Sequence, residues 1–178
     1  MNPTIELAKE LMSRASVTPL DEGCQDLIAQ RLEKIGFNIE HMPFEEVKNL
    51  WATYGKEGPL FIFLGHTDVV PTGPIEDWKN DPFLPLEENG FLIGRGAADM
   101  KGSVAAFVTA IEDFISKNKE FNGRIGLMLT SDEEGPSVNG VKKVIKELQS
   151  RQENIDWCLV GEPTANHQVG DVIKIGRR

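Results

Sequence analysis

Five side chains in this sequence have the types and the placing to hold divalent cations and to move a proton: His66, Asp99, the adjacent pair Glu133 and Glu134, and Glu162. Four of the five follow a short apolar run. Leu60-Phe61-Ile62-Phe63-Leu64 leads into Gly65-His66-Thr67-Asp68, the run from Ile125 to Leu129 leads into Ser131-Asp132-Glu133-Glu134-Gly135, and Trp157-Cys158-Leu159-Val160 leads into Gly161-Glu162-Pro163-Thr164. Such runs have the length and composition of strands buried on both faces. Carboxylates gathered where three strands end cannot stay unpaired once partly buried, and a divalent cation is the simplest counter-charge. One His among several carboxylates, with no thiolate, suits Zn²⁺, with Co²⁺ or Mn²⁺ as substitutes, whereas an all-oxygen site would favour Mg²⁺ or Ca²⁺. Two ions roughly 3.5–4 Å apart and sharing a carboxylate is an arrangement several hydrolases use.

Taken one at a time, each of these residues reads as solvated surface more readily than as a ligand. The joint placement at strand ends carries the inference. Asp68, two residues after His66, is expected to accept a hydrogen bond from the imidazole nitrogen that does not face a metal, which would fix the tautomer. Glu133 and Glu134 cannot point the same way from an extended segment, so one can ligate while the other acts as general base.

The elements that must position these groups are readable from periodicity. Apolar residues at helical spacing predict a helix from Pro3 to Arg14, with Asn2 as cap and Pro3 in the first position. A second helix is expected from Glu22 to Ile35, closed by Gly36, followed by two strands up to Tyr54. Further helices are expected from Asp99 to Asn118, which puts an acid at the positive end of the helix dipole, and from Val138 to Gln149. Strands alternating with helices imply an α/β fold: a mixed, mostly parallel sheet with helices on both faces, binding its ligands beyond the carboxyl ends of the strands. Pro71 to Pro85 is a Pro/Asp-rich excursion and not a linker.

The remaining signals mostly exclude. A formal net charge of −9 argues against nucleic acid or an acidic membrane surface as partner and favours a small solute or a metal. Cys24 and Cys158 lie far apart with no C-x-x-C pair, which leaves the cytoplasm as the natural compartment. No apolar run approaches the ~20 residues needed to span a bilayer. Gly94-Arg95-Gly96-Ala97-Ala98-Asp99 starts like a dinucleotide fingerprint but puts an acid where the third glycine belongs, and Lys101-Gly102-Ser103 has the wrong order for a phosphate loop. His41 reads as a strand-face residue, His167 as a loop residue, and Cys158 as packed in the sheet.

Four blocks, Gly65-His66-Thr67-Asp68-Val69-Val70-Pro71, Gly94 to Ser103, Ser131-Asp132-Glu133-Glu134-Gly135 and Gly161-Glu162-Pro163-Thr164, resemble in order the M20 family of di-zinc aminoacyl hydrolases and peptidases. Within it, Ala97-Ala98 and the closing Lys174-Ile175-Gly176-Arg177-Arg178 are most similar to members that remove the succinyl group from N-succinyl-LL-2,6-diaminopimelate, with acetylornithine deacetylases and aminoacylases sharing the same ligands. The resemblance implies that His66 and Glu162 bind one zinc, that Glu134 binds the other, that Asp99 bridges them, that Glu133 activates the attacking water and that Asp68 orients His66. It implies a small-molecule N-acyl diamino acid as substrate, with Arg177 as a candidate contact for a substrate carboxylate, although a plain surface arginine is the simpler reading. Family members are about twice this length, insert a dimerisation domain near this chain's last residue, and return to complete the catalytic domain with a further His ligand. Residues 1–178 are therefore expected to be the first segment of an incomplete catalytic domain, the complete protein a homodimer through the missing domain, and the segment alone close to inactive. A module that keeps the metal-binding fold without catalysis is the alternative.

Overall fold

Pro3 at a helix start and Asn2 before it act as expected. In the computed structural model, which describes residues 2–118, 120–165, 167–168 and 171–172, helix α1 (Pro3–Met12) begins with the Asn2 side chain accepting the Thr4 N–H at 3.0 Å. It buries Leu7, Ala8, Leu11 and Met12. Helix α2 (Cys24–Lys34) follows, and the chain then turns through Gly36 at φ 94°, a left-handed conformation open to a residue without Cβ. Strands β1 (Asn38–His41) and β2 (Asn49–Tyr54) pair antiparallel, which a short connection allows. Strand β3 (Leu60–His66) leads to the long excursion, which holds one 3₁₀ turn (Ile75–Asp77) and a hairpin of β4 (Leu86–Glu88) and β5 (Phe91–Ile93). Helix α3 (Lys101–Lys117), strand β6 (Arg124–Thr130), helix α4 (Val141–Ser150) and strand β7 (Trp157–Val160) complete the order.

The main sheet runs β1-β2-β6-β3-β7. It is mixed: β1 with β2 and β2 with β6 are antiparallel, while β6 with β3 and β3 with β7 are parallel. The parallel part is therefore the part whose carboxyl ends carry His66, Glu133, Glu134 and Glu162. Side chains alternate across the strands with period two. Phe63, Leu127 and Leu129 face α1, α2 and α3, while Leu60, Ile62 and Met128 face α4 through Val144 and Leu148. Helices thus cover both faces, and each fully buried leucine here contributes about 1.5–3 kcal/mol relative to exposure.

Three expectations need correction. The run Trp157–Val160 is not buried on both faces. All four residues are exposed, Trp157 by 58% and Leu159 by 51%, because β7 is an edge strand whose strand partner among the described residues is β3 alone. For the same reason Cys158 is exposed and not packed within the sheet. Helix α3 starts at Lys101, so Asp99 sits in the turn ahead of the helix and not in its first turn. The β4–β5 hairpin was not anticipated, although its Asn89-Gly90 turn, with φ 52° and 82°, is a sequence signal for one.

Candidate metal centre

Each candidate ligand is held by the strand or turn before it. His66 is the last residue of β3 and Glu162 follows β7 by two residues. A glycine precedes both, and at both there is no room for a side chain: a Cβ on Gly65 would come within 2.9 Å of the Met100 methyl, and one on Gly161 would overlap the Phe63 ring. Met100, 1% exposed, packs into the space these glycines leave. Because Met100 is the next residue after Asp99, this packing seats the Asp99 turn against the ends of β3 and β7.

The His66 imidazole is 1% exposed. Its Nδ1 lies 2.8 Å from the carbonyl oxygen of Asp68, an acceptor only, so Nδ1 carries the proton and donates. Nε2 then presents a lone pair, and it faces Asp99 Oδ1 at 3.0 Å and Glu162 Oε1 at 3.5 Å. A lone pair turned toward carboxylate oxygens is repulsive unless a proton or a cation lies between them. This donor set therefore fits a divalent ion, with one nitrogen and several carboxylate oxygens. Two overlapping groups have donor atoms within 4.8 Å of one another: His66, Asp99 and Glu134 form one, and His66, Glu133 and Glu162 form the other. All five predicted chemistry-bearing residues thus converge. Glu133 and Glu134 fall into different donor groups around His66, and they extend from a bend and not from an extended segment.

Asp68 does something other than foreseen. Its carboxylate, fully buried, stands 3.6 Å from His66 Nδ1, and the imidazole donates to the main-chain carbonyl of the same residue instead. The carboxylate accepts the backbone N–H groups of Glu133 at 3.2 Å and Glu134 at 3.1 Å. One residue therefore fixes the His66 tautomer through its peptide and the Glu133-Glu134 turn through its side chain.

The charges respond to this crowding. Burial alone pulls the His66 pKa down, but the Asp68 carboxylate, the hydrogen bond to the Asp68 backbone, and the Asp99 and Glu162 carboxylates outweigh it, so the net direction is upward. Glu134 is pushed up by burial and by the nearby Asp99 carboxylate, against a lowering by His66.

Sequence reasoning missed Asp132. It is 4% exposed, and its carboxylate accepts the N–H groups of Ser137, Val138 and Asn139 at 2.9–3.1 Å, which closes the turn behind Glu133 and Glu134. An acid followed five to seven residues later by Ser-Val-Asn has no distinctive local pattern. Beside the candidate ligands lies a cavity of about 300 Å³ with Leu64, Met100, Val141 and Val160 among its lining residues. His41 is an exposed residue of β1, and His167 lies in a bend where its N–H donates to Asp171 at 2.8 Å. Arg177 and the segment from Lys174 to Arg178 lie outside the described residues.

A family model described as peptidase family M20/M25/M40 matches residues 62–176, from the middle of β3 to near the chain end. The chain belongs to this peptidase family. Over all 178 residues it is 56% identical to a succinyl-diaminopimelate desuccinylase of Alkalilimnicola ehrlichii and 59% identical to one of Nitrosococcus oceani, covering 48% and 47% of those proteins. The chain therefore spans about half the length of the curated relatives it matches. Among solved structures it is similar to an M20 family metallo-carboxypeptidase of Sulfolobus solfataricus, with a TM-score of 0.82 at 23% identity, covering 92% of this chain and 38% of that one. Human carnosine dipeptidase 1 is similar with a TM-score of 0.79 at 22% identity, covering 91% and 38%. These likenesses bear on the fold. No helix among the described residues is long and apolar enough to cross a membrane.

Proposed function

We propose that this chain is the first segment of the catalytic domain of a two-metal amide hydrolase that removes the succinyl group from N-succinyl-LL-2,6-diaminopimelate. The convergence of His66, Asp99, Glu134 and Glu162 with Glu133 at the carboxyl ends of the parallel strands carries this reading. The names of relatives that match along the whole chain support the choice of substrate.

In this reading His66, Asp99, Glu134 and Glu162 would hold two zinc ions, for which Co²⁺ or Mn²⁺ could stand in, with Asp99 serving both. When bound, such ions supply Lewis acidity toward the amide carbonyl and lower the pKa of water. Glu133 takes a proton from the attacking water as its oxygen bonds to the carbonyl carbon. The C–N bond then breaks, Glu133 passes the proton to the leaving amine, and succinate and the free diamino acid are released. Asp68 keeps the His66 lone pair turned inward and holds Glu133 and Glu134 in their turn. The apolar wall of Leu64, Met100, Val141 and Val160 suits the methylene part of the acyl group. The homodimer contacts and a further His ligand belong to the remainder of the polypeptide. Two free cysteines are in keeping with a cytoplasmic site of action.

The deciding experiment replaces Glu133 with Ala in the full-length polypeptide. Turnover of the succinylated substrate should fall about 10²–10⁴-fold with zinc content by elemental analysis unchanged. Unchanged turnover would remove Glu133 from the chemistry, and loss of metal would make it a ligand beside His66 and Glu162. Preference for an acetylated over a succinylated diamino acid in the parent protein would overturn the substrate.

A further inference from the structure

The residues between α1 and α2 contain none of the ligands, yet they contact the flanks of three ligand-bearing turns. At the Asp99 turn the contact is Lys101, two residues on. Its side chain is 1% exposed, and its ammonium donates to the carbonyl of Leu11 at 2.9 Å and to that of Arg14 at 2.7 Å. The glycine-bearing loop is wound on the Lys101 stem: Lys101 N–H donates to Gly96 O at 3.0 Å, and a Cβ on Gly96 would come within 3.0 Å of Lys101 Cδ. At the His66 turn, Ser16 Oγ donates to the carbonyl of Thr67 at 2.7 Å, and Val69 N–H donates to Ser16 O at 2.9 Å. Thr67 Oγ1 donates to the buried carboxylate of Asp21 at 2.7 Å. At the Glu133-Glu134 turn, Ser131 Oγ donates to Pro19 O at 2.8 Å, and a Cβ on Gly135 would come within 2.8 Å of Thr18 Oγ1.

Burying an ammonium is costly, and a methionine of similar length would pack the same stem without that cost. What the cation adds is direction: it ties main-chain carbonyls at the carboxyl end of α1, where the helix dipole favours positive charge, to the turn that carries Asp99. We infer that the connector of residues 13–23 is a common brace that sets the spacing of the three ligand turns, with Lys101 and Ser16 as its positioning residues. The inference rests on the metal-site reading above.

Lys101→Met and Ser16→Ala, made separately in the full-length protein, test it by Co²⁺ titration, the visible spectrum of the Co²⁺-loaded protein, and thermal melting of the metal-free protein. Co²⁺ should bind about tenfold more weakly in each variant, as is usual when a group that orients ligands is removed. The spectrum should change, and metal-free melting should stay within a few degrees of the parent. Parent-like Co²⁺ affinity and spectrum would overturn the brace, whether or not stability falls, since a packing role alone would lower melting and leave the bound ion unchanged. Should Lys101→Met fail to fold, Ser16→Ala decides by the same criteria. A parent protein that binds no Co²⁺ would refute the metal site itself, and the brace with it.

Discussion

At the ends of β3 and β6 the candidate ligands stand on strands paired on both sides, and the turns that follow are tied to Asp68, Asp132 and the α1–α2 connector, whereas Glu162 stands beyond β7, which pairs with β3 alone among the described residues and exposes all four of its residues. The Glu162 turn follows Gly161, which packs on Phe63 and Met100 and whose N–H donates to Leu64 O at 3.2 Å. The contrast teaches that a donor set can converge even though its parts are secured unequally. The Asp68 carbonyl accepts from the His66 ring and the Asp68 carboxylate accepts the backbone N–H groups of Glu133 and Glu134, while the turn that carries Glu162 continues the edge strand of the described sheet.

The largest test of this contrast is one of stability. Leu127→Ala, at a fully buried position on β6, should cost this chain about 2–5 kcal/mol in urea unfolding. Leu159→Ala on β7 should cost under about 1 kcal/mol, and equal losses would break the comparison. Next comes Asp68→Asn, which removes one of the acceptors that hold the Glu133-Glu134 turn. Zinc affinity, read by competition with a chelator, should fall about 10–100-fold, or about 1.4–2.8 kcal/mol. An unchanged affinity would mean that Asp132 and the connector suffice to hold that turn.

The smallest effect is one of pH, and its sign follows from the pKa directions. His66 and Glu134 both hold a proton more tightly in the metal-free fold than in the unfolded chain. The His66 contribution is fully present below its ordinary value of 6.5 and is lost as pH rises through the higher folded value. The Glu134 contribution behaves likewise, from its ordinary 4.5 upward. Chelator-treated protein should thus melt lower as pH rises across this range. Zinc-loaded protein should gain stability over the same range, because the ion competes with those protons. Parallel pH profiles for the two forms would contradict the assignment of His66 and Glu134 as ligands.

Much of the fold was legible because its signals are local. Apolar runs ending at Gly65-His66 and Gly161-Glu162 gave the strand ends, and Asn2-Pro3 and Gly36 gave helix boundaries that agree with the structure. The convergence of four of the five acidic and imidazole side chains followed from their places just past strand ends in a mostly parallel sheet, and Asp99 joins them from the turn ahead of α3. Burial of β7 was misread because an apolar run records a tendency to be covered and not the presence of a cover. The connector was invisible for another reason. Ser16, Thr18, Pro19 and Asp21 have the composition of an ordinary turn, and their bonds to Thr67 and Ser131 span the sequence without a period to reveal them. Lys101 drew notice as a failed phosphate loop and within the Gly94 to Ser103 block, but nothing near it in sequence shows that its ammonium faces the carbonyls of Leu11 and Arg14.

The buried Asp68 carboxylate takes its hydrogen bonds from peptide groups. Those bonds fix the bend that carries Glu133 and Glu134 within the polypeptide itself, so its shape does not wait on an arriving ion. Withdrawing the metal should accordingly leave a vacant seat and not a collapsed one, ready to be refilled from solution without refolding.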